Sequence, residues 1–368
     1  MKKETIFVLQ PRIQHYRLPV FDILTRDLND HFNIMILGET NNGEAINGGK
    51  RNYIKHIDYK QNNGFYWWQG LIALIKKYEP TIVLFTASPR NFSCWFLLAT
   101  RYFFNVKLIG WSKINSDKNN DNYLNKKIKH FFYSRFENLI LYGDKSLEEL
   151  ENLNVVKSNK FIAYNTINTN FYNYKKISLK EKIKAIKEQY NLSKIKNIFV
   201  CIGKMVEEKK QIDVIKAWNI SSINKKKSKL VFVGSGPEFD KIKANKNIND
   251  DSILFIGTVP FEYDYLWLKI ANFSVFGGSL GLACQQSFLS KSLVIAPKEK
   301  SVDSEFLIHN VNSILYNKGD IDELSKIFVT VLSIDRKLVQ NAYNYIKNVR
   351  NIEKMASQIF KAIKNVNC

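Results

Sequence analysis

The sequence predicts an α/β protein built from two doubly wound halves, and three observations carry that expectation. The chain has 368 residues, long for one domain and comfortable for two of about 150–200. Apolar runs of strand length alternate with stretches of helical periodicity, the signature of parallel strands covered by helices on both faces. The alternation then restarts after a lysine-rich segment near the middle of the chain.

In the first half, IFVL (Ile6–Leu9) reads as a buried strand and Leu18–Leu28 as a helix. FNIMIL (Phe32–Leu37) is the second strand, and Trp67–Tyr78 has helical spacing. TIVLF (Thr81–Phe85), the helical Cys94–Phe104, VKLIGW (Val106–Trp111), NLILYG (Asn138–Gly143) and KFIAYN (Lys160–Asn165) complete it. Lys175–Lys196, with eight lysines and two glutamates, reads as a polar helix leading into the second half. There the strands are Asn197–Gly203, Lys229–Gly236, Ser252–Gly257, Phe273–Gly278 and Leu293–Pro297, with helices at Gln211–Trp218 and Leu282–Leu289. Tyr343–Ile363 is helical and is expected to cross back to the first half. The expected domains are therefore 1–180, 181–342 and a returning segment 343–368. Sheets of this kind bind ligands at the carboxyl ends of their strands, and two such halves facing each other make a cleft.

Composition narrows the partners. Hydrophobic residues make up 45% and aromatics 13%, a globular composition with 25 Phe and 18 Tyr. Lysine and arginine number 55 against 34 acidic residues, a formal charge of +21. That surplus favours an anionic partner, unless it is only a bias toward solvated lysines. No helix-turn-helix spacing, zinc finger or RNP-like strand is present, and the lysines are spread rather than striped, so nucleic acid is not the expected partner. Cys94, Cys201, Cys284 and Cys368 are far apart, which excludes a disulfide framework or zinc knuckle and suits a reducing compartment. The five histidines form no metal-ligand spacing. Met1–Glu4 runs straight into IFVL without a signal-peptide h-region, and the longest apolar stretch, Cys94–Thr100, is about a third of a membrane span. The expectation is a cytoplasmic protein, soluble or peripheral.

Four strand ends in the second half carry chemistry. Gly203 closes a strand with Lys204 next and Lys209 just before a helix; two ammonium groups there can clamp a diphosphate, or be solvated loop lysines. Gly234, Gly236 and Pro237 form a tight turn that lets backbone amides approach a phosphate, or is a plain turn. Gly257–Pro260 follows a third strand and offers backbone to a flat base, or is a simple loop. Gly277 and Gly278 end a fourth, and Gly281 opens a helix carrying Gln285, Gln286 and Ser287; its N-terminus is an anion site, or its glycines serve close packing. In the first half His15, Tyr16 and Arg17 follow the first strand, and Ser88, Pro89 and Arg90 follow the strand ending at Phe85. These are acceptor or cleft candidates; packing for Tyr16 and solvation for Arg90 are the competing readings.

As an ordered set, these segments resemble glycosyltransferase family 4, retaining enzymes of the GT-B fold. Gly203-Lys204-Met205 with Glu208-Lys209-Lys210 is similar to the family's Gly-Arg-Leu…Glu-Lys-Gly run. Gly234–Pro237 matches its Gly-x-Gly-Pro turn, and Phe255–Val259 its Phe-x-Gly-x-Val. Gly277–Leu282 resembles a branch reading Pro-Gly-x-x-Gly-Leu where others have Glu-x7-Glu. Asp303–Tyr316 resembles the following Gly-Pro-Glu…Gly-x-Asn-Gly segment, with Glu305 at the glutamate. QPRIQHYRLPVFDIL and the stretch Leu141–Asn168 extend the likeness to nearly the whole chain. Three departures stand out. Lys204 replaces the usual arginine and loses its bidentate fork. Gly278 and Gln286 replace two glutamates, and Lys113 stands where a Trp-x-His pattern is common.

The resemblance implies transfer of a sugar from a nucleotide-diphospho-sugar, UDP favoured and GDP possible, to a glycan or lipid-linked acceptor in surface polysaccharide or lipopolysaccharide synthesis. It implies retention of configuration and no metal or other cofactor. Lys204 and Lys209 would hold the departing diphosphate. Gly203, Gly234, Gly236, Val259, Gly278, Leu280, Gly281, Leu282, Gln286 and Glu305 would line the donor site. His15, Tyr16, Arg17, Arg90 and Lys113 would face the acceptor. The alternatives are an inactive sugar-nucleotide-binding protein of the same fold and, behind it, a sugar-nucleotide epimerase. Asn125–Phe136 sets Lys126, Lys127, Lys129 and Arg135 beside Phe131, Phe132 and Phe136; such a helix can lie on an anionic membrane or simply pack on the sheet.

Overall fold

The computed structural model describes residues 3–41, 49–114, 122–168, 176–245 and 250–367. Two compact units divide the chain: Met1–Asn168 with Arg350–Cys368, and Thr169–Val349. The Cys368 thiol and the linker at 169–175 lie outside the described residues.

The first unit opens with β1 (Glu4–Arg12), α1 (Leu18–Leu28) and β2 (Phe32–Glu39). β3 (Ile54–His56), β4 (Tyr59–Asn62), β5 (Phe65–Trp68) and α2 (Leu71–Tyr78) follow. It continues through β6 (Ile82–Thr86), α3 (Phe92–Phe104), β7 (Lys107–Ser112), α4 (Tyr123–Tyr133), β8 (Asn138–Leu141), α5 (Asp144–Asn152) and β9 (Asn159–Ile162). Seven strands form one sheet in the order β3-β2-β1-β6-β7-β8-β9, and its pairings are parallel. The reason lies in the strands themselves. In β1, Ile6 and Val8 enter the core on one face while Phe7 and Leu9 enter the core on the other. A strand buried on both faces needs helices on both sides, which parallel crossovers supply.

The segment expected to be helical from Trp67 is instead partly strand. Tyr59–Asn62 and Phe65–Trp68 pair antiparallel as a hairpin. Its turn is Asn63-Gly64, with φ of 48° and 79°, the geometry that asparagine and glycine accept most readily. The helix begins only at Leu71, after Gly70 at φ 81°.

The second unit runs α6 (Lys176–Gln189), β10 (Asn197–Ile202), α7 (Gln211–Ile220), β11 (Ser228–Val233), α8 (Phe239–Ala244), β12 (Ile253–Gly257) and α9 (Phe261–Ile270). β13 (Phe273–Val275), α10 (Leu282–Ser290), β14 (Leu293–Pro297), β15 (Ser313–Tyr316), α11 (Ile321–Thr330) and α12 (Lys337–Asn348) complete it. Its six-stranded sheet has the order β12-β11-β10-β13-β14-β15, again parallel. β10 shows the same two-faced logic: Phe199 and Cys201 serve one core, and Ile198, Val200 and Ile202 the other. The three described cysteines are buried and form no disulfide with one another.

The helix expected over Tyr343–Ile363 is broken. α12 ends at Asn348, and α13 (Ile352–Asn367) belongs to the first unit. Ile352, Met355, Ile359 and Ile363 of α13 enter the core formed around Ile6, Val8 and α1. The division of the chain thus falls at 349/350 rather than at 342/343.

Candidate functional site

In each sheet the strand order reverses at one place, and the sequence-predicted residues gather at the carboxyl ends around it. In the second unit the reversal lies between β10 and β13. Gly203, Lys204 and Lys209 follow β10; Gly234 and Gly236 follow β11; Val259 follows β12. Gly278, Leu280, Gly281 and Leu282 follow β13, Gln286 sits within α10, and Glu305 follows β14. Such a switch point is where open α/β sheets bind ligands.

The loop 203–210 is held between two pairs of glycines. A methyl group built on Gly234 would stand 2.2 Å from the Gly203 carbonyl oxygen, and one on Gly236 2.3 Å from that of Met205. From the other side, a methyl on Gly277 would stand 2.1 Å from the Lys210 carbonyl oxygen, and one on Gly278 2.3 Å from that of Glu208. Backbone bonds fasten the same loop: Met205 N–H donates to Ser235 (2.9 Å), and Ser279 N–H donates to Glu208 (3.0 Å). These glycines therefore clamp the lysine-bearing loop, a role the sequence reading left beside phosphate approach. The sequence reading missed two contributors to this clamp. Gly277 was noted only as a strand end, and Gln211, almost fully buried, fixes the Lys204 carbonyl through Nε2 (3.0 Å).

The two lysines differ. Lys204 is exposed at the strand end. Lys209 is partly buried and donates from Nζ to the carbonyls of Ser279 (2.7 Å) and Leu280 (3.2 Å), immediately before α10. Its pKa is lowered, chiefly by burial, although Glu208 and Asp303 pull the other way. Desolvation is thus only partly compensated, so an incoming anion would find a cation ready to be paired. Gly281 (φ 68°) begins α10 without a side-chain cap, and Lys209 Nζ lies 3.5 Å from where its Cβ would be. The open amide end of the helix and the ammonium therefore converge. Leu280 and Gln286 are buried; Val259, Leu282 and Glu305 are half-buried.

In the first unit the reversal lies between β1 and β6. His15, Tyr16 and Arg17 form a short turn after β1, Arg90 follows β6 and Lys113 follows β7. Arg90 and Lys113 are exposed. Arg17 is only 5% exposed. Its guanidinium lies 4.7 Å from the Trp111 ring centroid and 5.2 Å from that of Tyr142, and donates to the Tyr142 hydroxyl (2.9 Å) and the Met355 sulfur (3.9 Å). It is enclosed by aromatic faces in the unit's interior rather than presented at the strand-end surface. His15 and Tyr16 meet edge to face at 5.7 Å. Among the described residues, no group of three or more His, Cys, Asp or Glu is placed to hold a metal. No described helix is long and apolar enough to cross a membrane.

Comparison with known proteins bears on one segment and on the fold. Residues 182–350 match the family model described as Glycosyl transferases group 1. The matched segment lies almost wholly within the second unit and contains the glycine clamp, both lysines and α10. No curated protein sequence matches the chain. Solved structures of similar fold span both units. HepE from Anabaena, crystallised in complex with UDP, superposes with a TM-score of 0.72 over 98% of this chain and 100% of that one, at 12% identity. A glycosyltransferase from Rickettsia africae ESF-5 gives 0.74 over 100% and 99%, at 16% identity. The apo lipopolysaccharide outer core galactosyltransferase WaaB gives 0.66 over 97% and 99%, at 12% identity. At these identities the likeness establishes the fold, which is GT-B with two Rossmann-like domains.

Proposed function

We propose that the protein is a glycosyltransferase of the family 4 type, in the branch with a Gly-x-x-Gly-Leu segment. It would move a sugar from a nucleotide-diphospho-sugar, UDP-linked by preference and GDP-linked as the alternative, to a glycan or lipid-linked acceptor. The setting is cytoplasmic synthesis of surface polysaccharide or lipopolysaccharide. The observation that carries this reading is Lys209, a partly desolvated ammonium held at the uncapped N-terminus of α10 inside the matched segment. HepE, of similar fold, holds UDP in its crystal.

The chemistry follows from charge. When the bond between the anomeric carbon and the β-phosphate oxygen breaks, its electron pair stays on the diphosphate. The acceptor hydroxyl oxygen bonds to the anomeric carbon, and its proton passes to the departing diphosphate oxygen on the same face. Negative charge grows on the β-phosphate through the transition state, so a fixed ammonium and helix amides there accelerate the step rather than merely tighten binding. Lys209 and Lys204 are the cations for this role, and neither needs a metal for it. Retention of configuration is part of the proposal: the acceptor would attack from the face the diphosphate leaves. The backbone of Gly234 and Gly236 after β11, Val259 after β12, and Gly278, Leu280, Gly281 and Leu282 after β13 would line the nucleotide, Gln286 and Glu305 would meet ribose or sugar hydroxyls, and Arg90, Lys113, His15 and Tyr16 would face the acceptor. Arg17, being enclosed, would support those residues from beneath.

A second reading has one observation in its favour. The Cβ direction at Gly278 points at the Glu208 carbonyl oxygen, 2.3 Å away, so no glutamate side chain fits there. A donor-binding protein without turnover would have that feature too; an epimerase would need acid–base carboxylates that the segment does not offer.

The test is a thermal-shift screen with UDP, GDP, ADP and CMP beside Lys204→Ala and Lys209→Ala. A ligand near 100 times its Kd stabilises by roughly 2.7 kcal/mol. A shift with one diphosphate, lost in both variants and unchanged by EDTA, supports the donor site and names its base; no shift with any nucleotide removes it. Radiolabelled transfer to bacterial lipid extracts then separates the enzyme from the silent binder.

A further inference from the structure

We infer that α3 and α4 together form a face that docks in the plane of an anionic lipid leaflet. The inference rests on the lipid-linked acceptor proposed above for its purpose, and on the first unit's own surface for its chemistry.

Both helices are apolar on two sides. The inward side of α3 buries Cys94 and Leu97, and that of α4 buries Phe132 and Tyr133. Outward, Phe92, Phe96 and Phe103 recur at helical spacing on α3, and Leu124, Ile128 and Phe131 do so on α4; all six are among the large hydrophobics left exposed, Phe103 at 82% and Leu124 at 63%. In the sequence Phe132 and Phe136 stand beside the same cations, with membrane contact and packing on the sheet as the two readings. The structure turns both inward, into the core beneath the sheet: Phe132 from the inward side of α4, and Phe136 from the turn beyond its end.

The two stripes are one surface. Trp95 of α3 stacks on Phe131 of α4 with ring centroids 6.1 Å apart and planes inclined by 16°. Near the other end of α3, the Arg101 guanidinium donates to the Arg135 carbonyl at 2.7 Å. Soluble proteins rarely expose a contiguous aromatic and aliphatic patch of this kind without an occupant.

Charge chooses the occupant. Residues 92–104 and 122–136 contain no Asp or Glu; Arg101 is paired with Glu137 just beyond them (3.0 Å), which leaves Lys126, Lys127, Lys129 and Arg135 as the cations of this face. Arg135 lies over the Phe131 ring (4.3 Å) and Lys127 over the Tyr123 ring (4.4 Å), so the cations flank the aromatics rather than stand apart. Protein interfaces are depleted in lysine, whereas aromatic stripes edged by lysine suit the boundary between acyl chains and anionic headgroups. Position serves the reaction as well. Phe92 opens α3 next to Arg90, at the carboxyl end of β6, and stacks on Phe65 at 5.1 Å. A lipid-linked acceptor held at this face would have its sugar beside the strand-end residues.

Flotation of the full chain with phosphatidylcholine vesicles, with and without phosphatidylglycerol, tests the inference. The wild type should float only with phosphatidylglycerol, and less so in high salt. Phe96→Ser/Phe103→Ser and Lys126→Glu/Lys127→Glu should each reduce that partition by about tenfold or more, while the UDP thermal shift stays at its wild-type size. A wild type that does not float, or variants that float equally well, overturns the inference. So does a lipid-free dimer, seen by sedimentation, that the Phe96→Ser/Phe103→Ser chain cannot form, since a second copy then covers the face. Flotation with no UDP shift supports the docking face and overturns only the donor site.

Discussion

Lys209 and Lys204 share a strand end and a charge, yet their surroundings give them unequal weight. Lys209 is partly desolvated and held by two carbonyls, so its ammonium is pre-positioned; Lys204 is exposed. Lys209→Ala should lower transfer by about 10²–10³-fold, the usual loss for a fixed donor at a developing oxyanion, and Lys204→Ala by roughly tenfold, as for a more exposed ion pair. Steady-state kinetics on both variants checks the order. Asp264 offers a residue-scale test of stability. Burial in α9 raises its carboxyl from 3.8 to about 6. Between those values the folded chain keeps a proton that the unfolded chain has released, so stability falls as pH rises through the window. At neutral pH the partly buried carboxylate opposes folding, by about 3 kcal/mol at most. Asp264→Asn should raise Tm at pH 7.5 and flatten the dependence between pH 4 and 6, read by thermal melts. The two residues also differ in legibility. A lysine after a strand and before a helix announces itself in sequence, whereas the environment of Asp264 is made by residues distant along the chain.

The glycines after β11 and β13 act at the scale of elements, because they set how closely the strand-end loops approach one another. Gly277 has no unusual φ, so its requirement is purely one of contact: the Lys210 carbonyl occupies the place of a side chain. Gly277→Ala should therefore force the 203–210 loop aside, lowering stability by about 1–3 kcal/mol and shrinking the UDP shift with it. Chemical denaturation and the thermal shift, measured on the same variant, should move together. Glycine at a strand end was visible in the sequence, but its partner was not. Turn, phosphate approach and close packing look identical until the opposing loop is placed. The β4–β5 hairpin shows the opposite failing: Asn63-Gly64 is a local hairpin signal, and the aromatic run that follows was read by helical period instead. On α4, periodicity found the helix, but Phe131 and Phe132 are neighbours on opposite sides, and only the sheet beneath decides which is buried.

At the scale of the molecule, strand periodicity and the mid-chain restart were enough to read two doubly wound units, since each strand's two-sided burial is written into its own residues. The route of the chain between them was less legible. Periodicity over Tyr343–Ile363 does not reveal that Val349–Asn351 interrupts the helix, because both pieces are amphipathic and only their cores differ: α12 sends Val339 to one core and α13 sends Ile359 to another. The last sixteen-residue helix is thus a structural part of the unit formed by the start of the chain. Ile359 is fully buried beside residues from β1, β2 and α1, so Ile359→Ala should lower stability by about 2–5 kcal/mol through lost burial and an unfilled cavity. The loss should be local in its reach. Hydrogen exchange should accelerate in β1, β2 and β8, whose side chains share that core with α13, while β10 and β11, whose cores contain no residue of α13, keep their protection. Uniform acceleration across both sheets would instead mean that the two units unfold as one, and that the returning helix governs the stability of the donor-binding unit as well as its own.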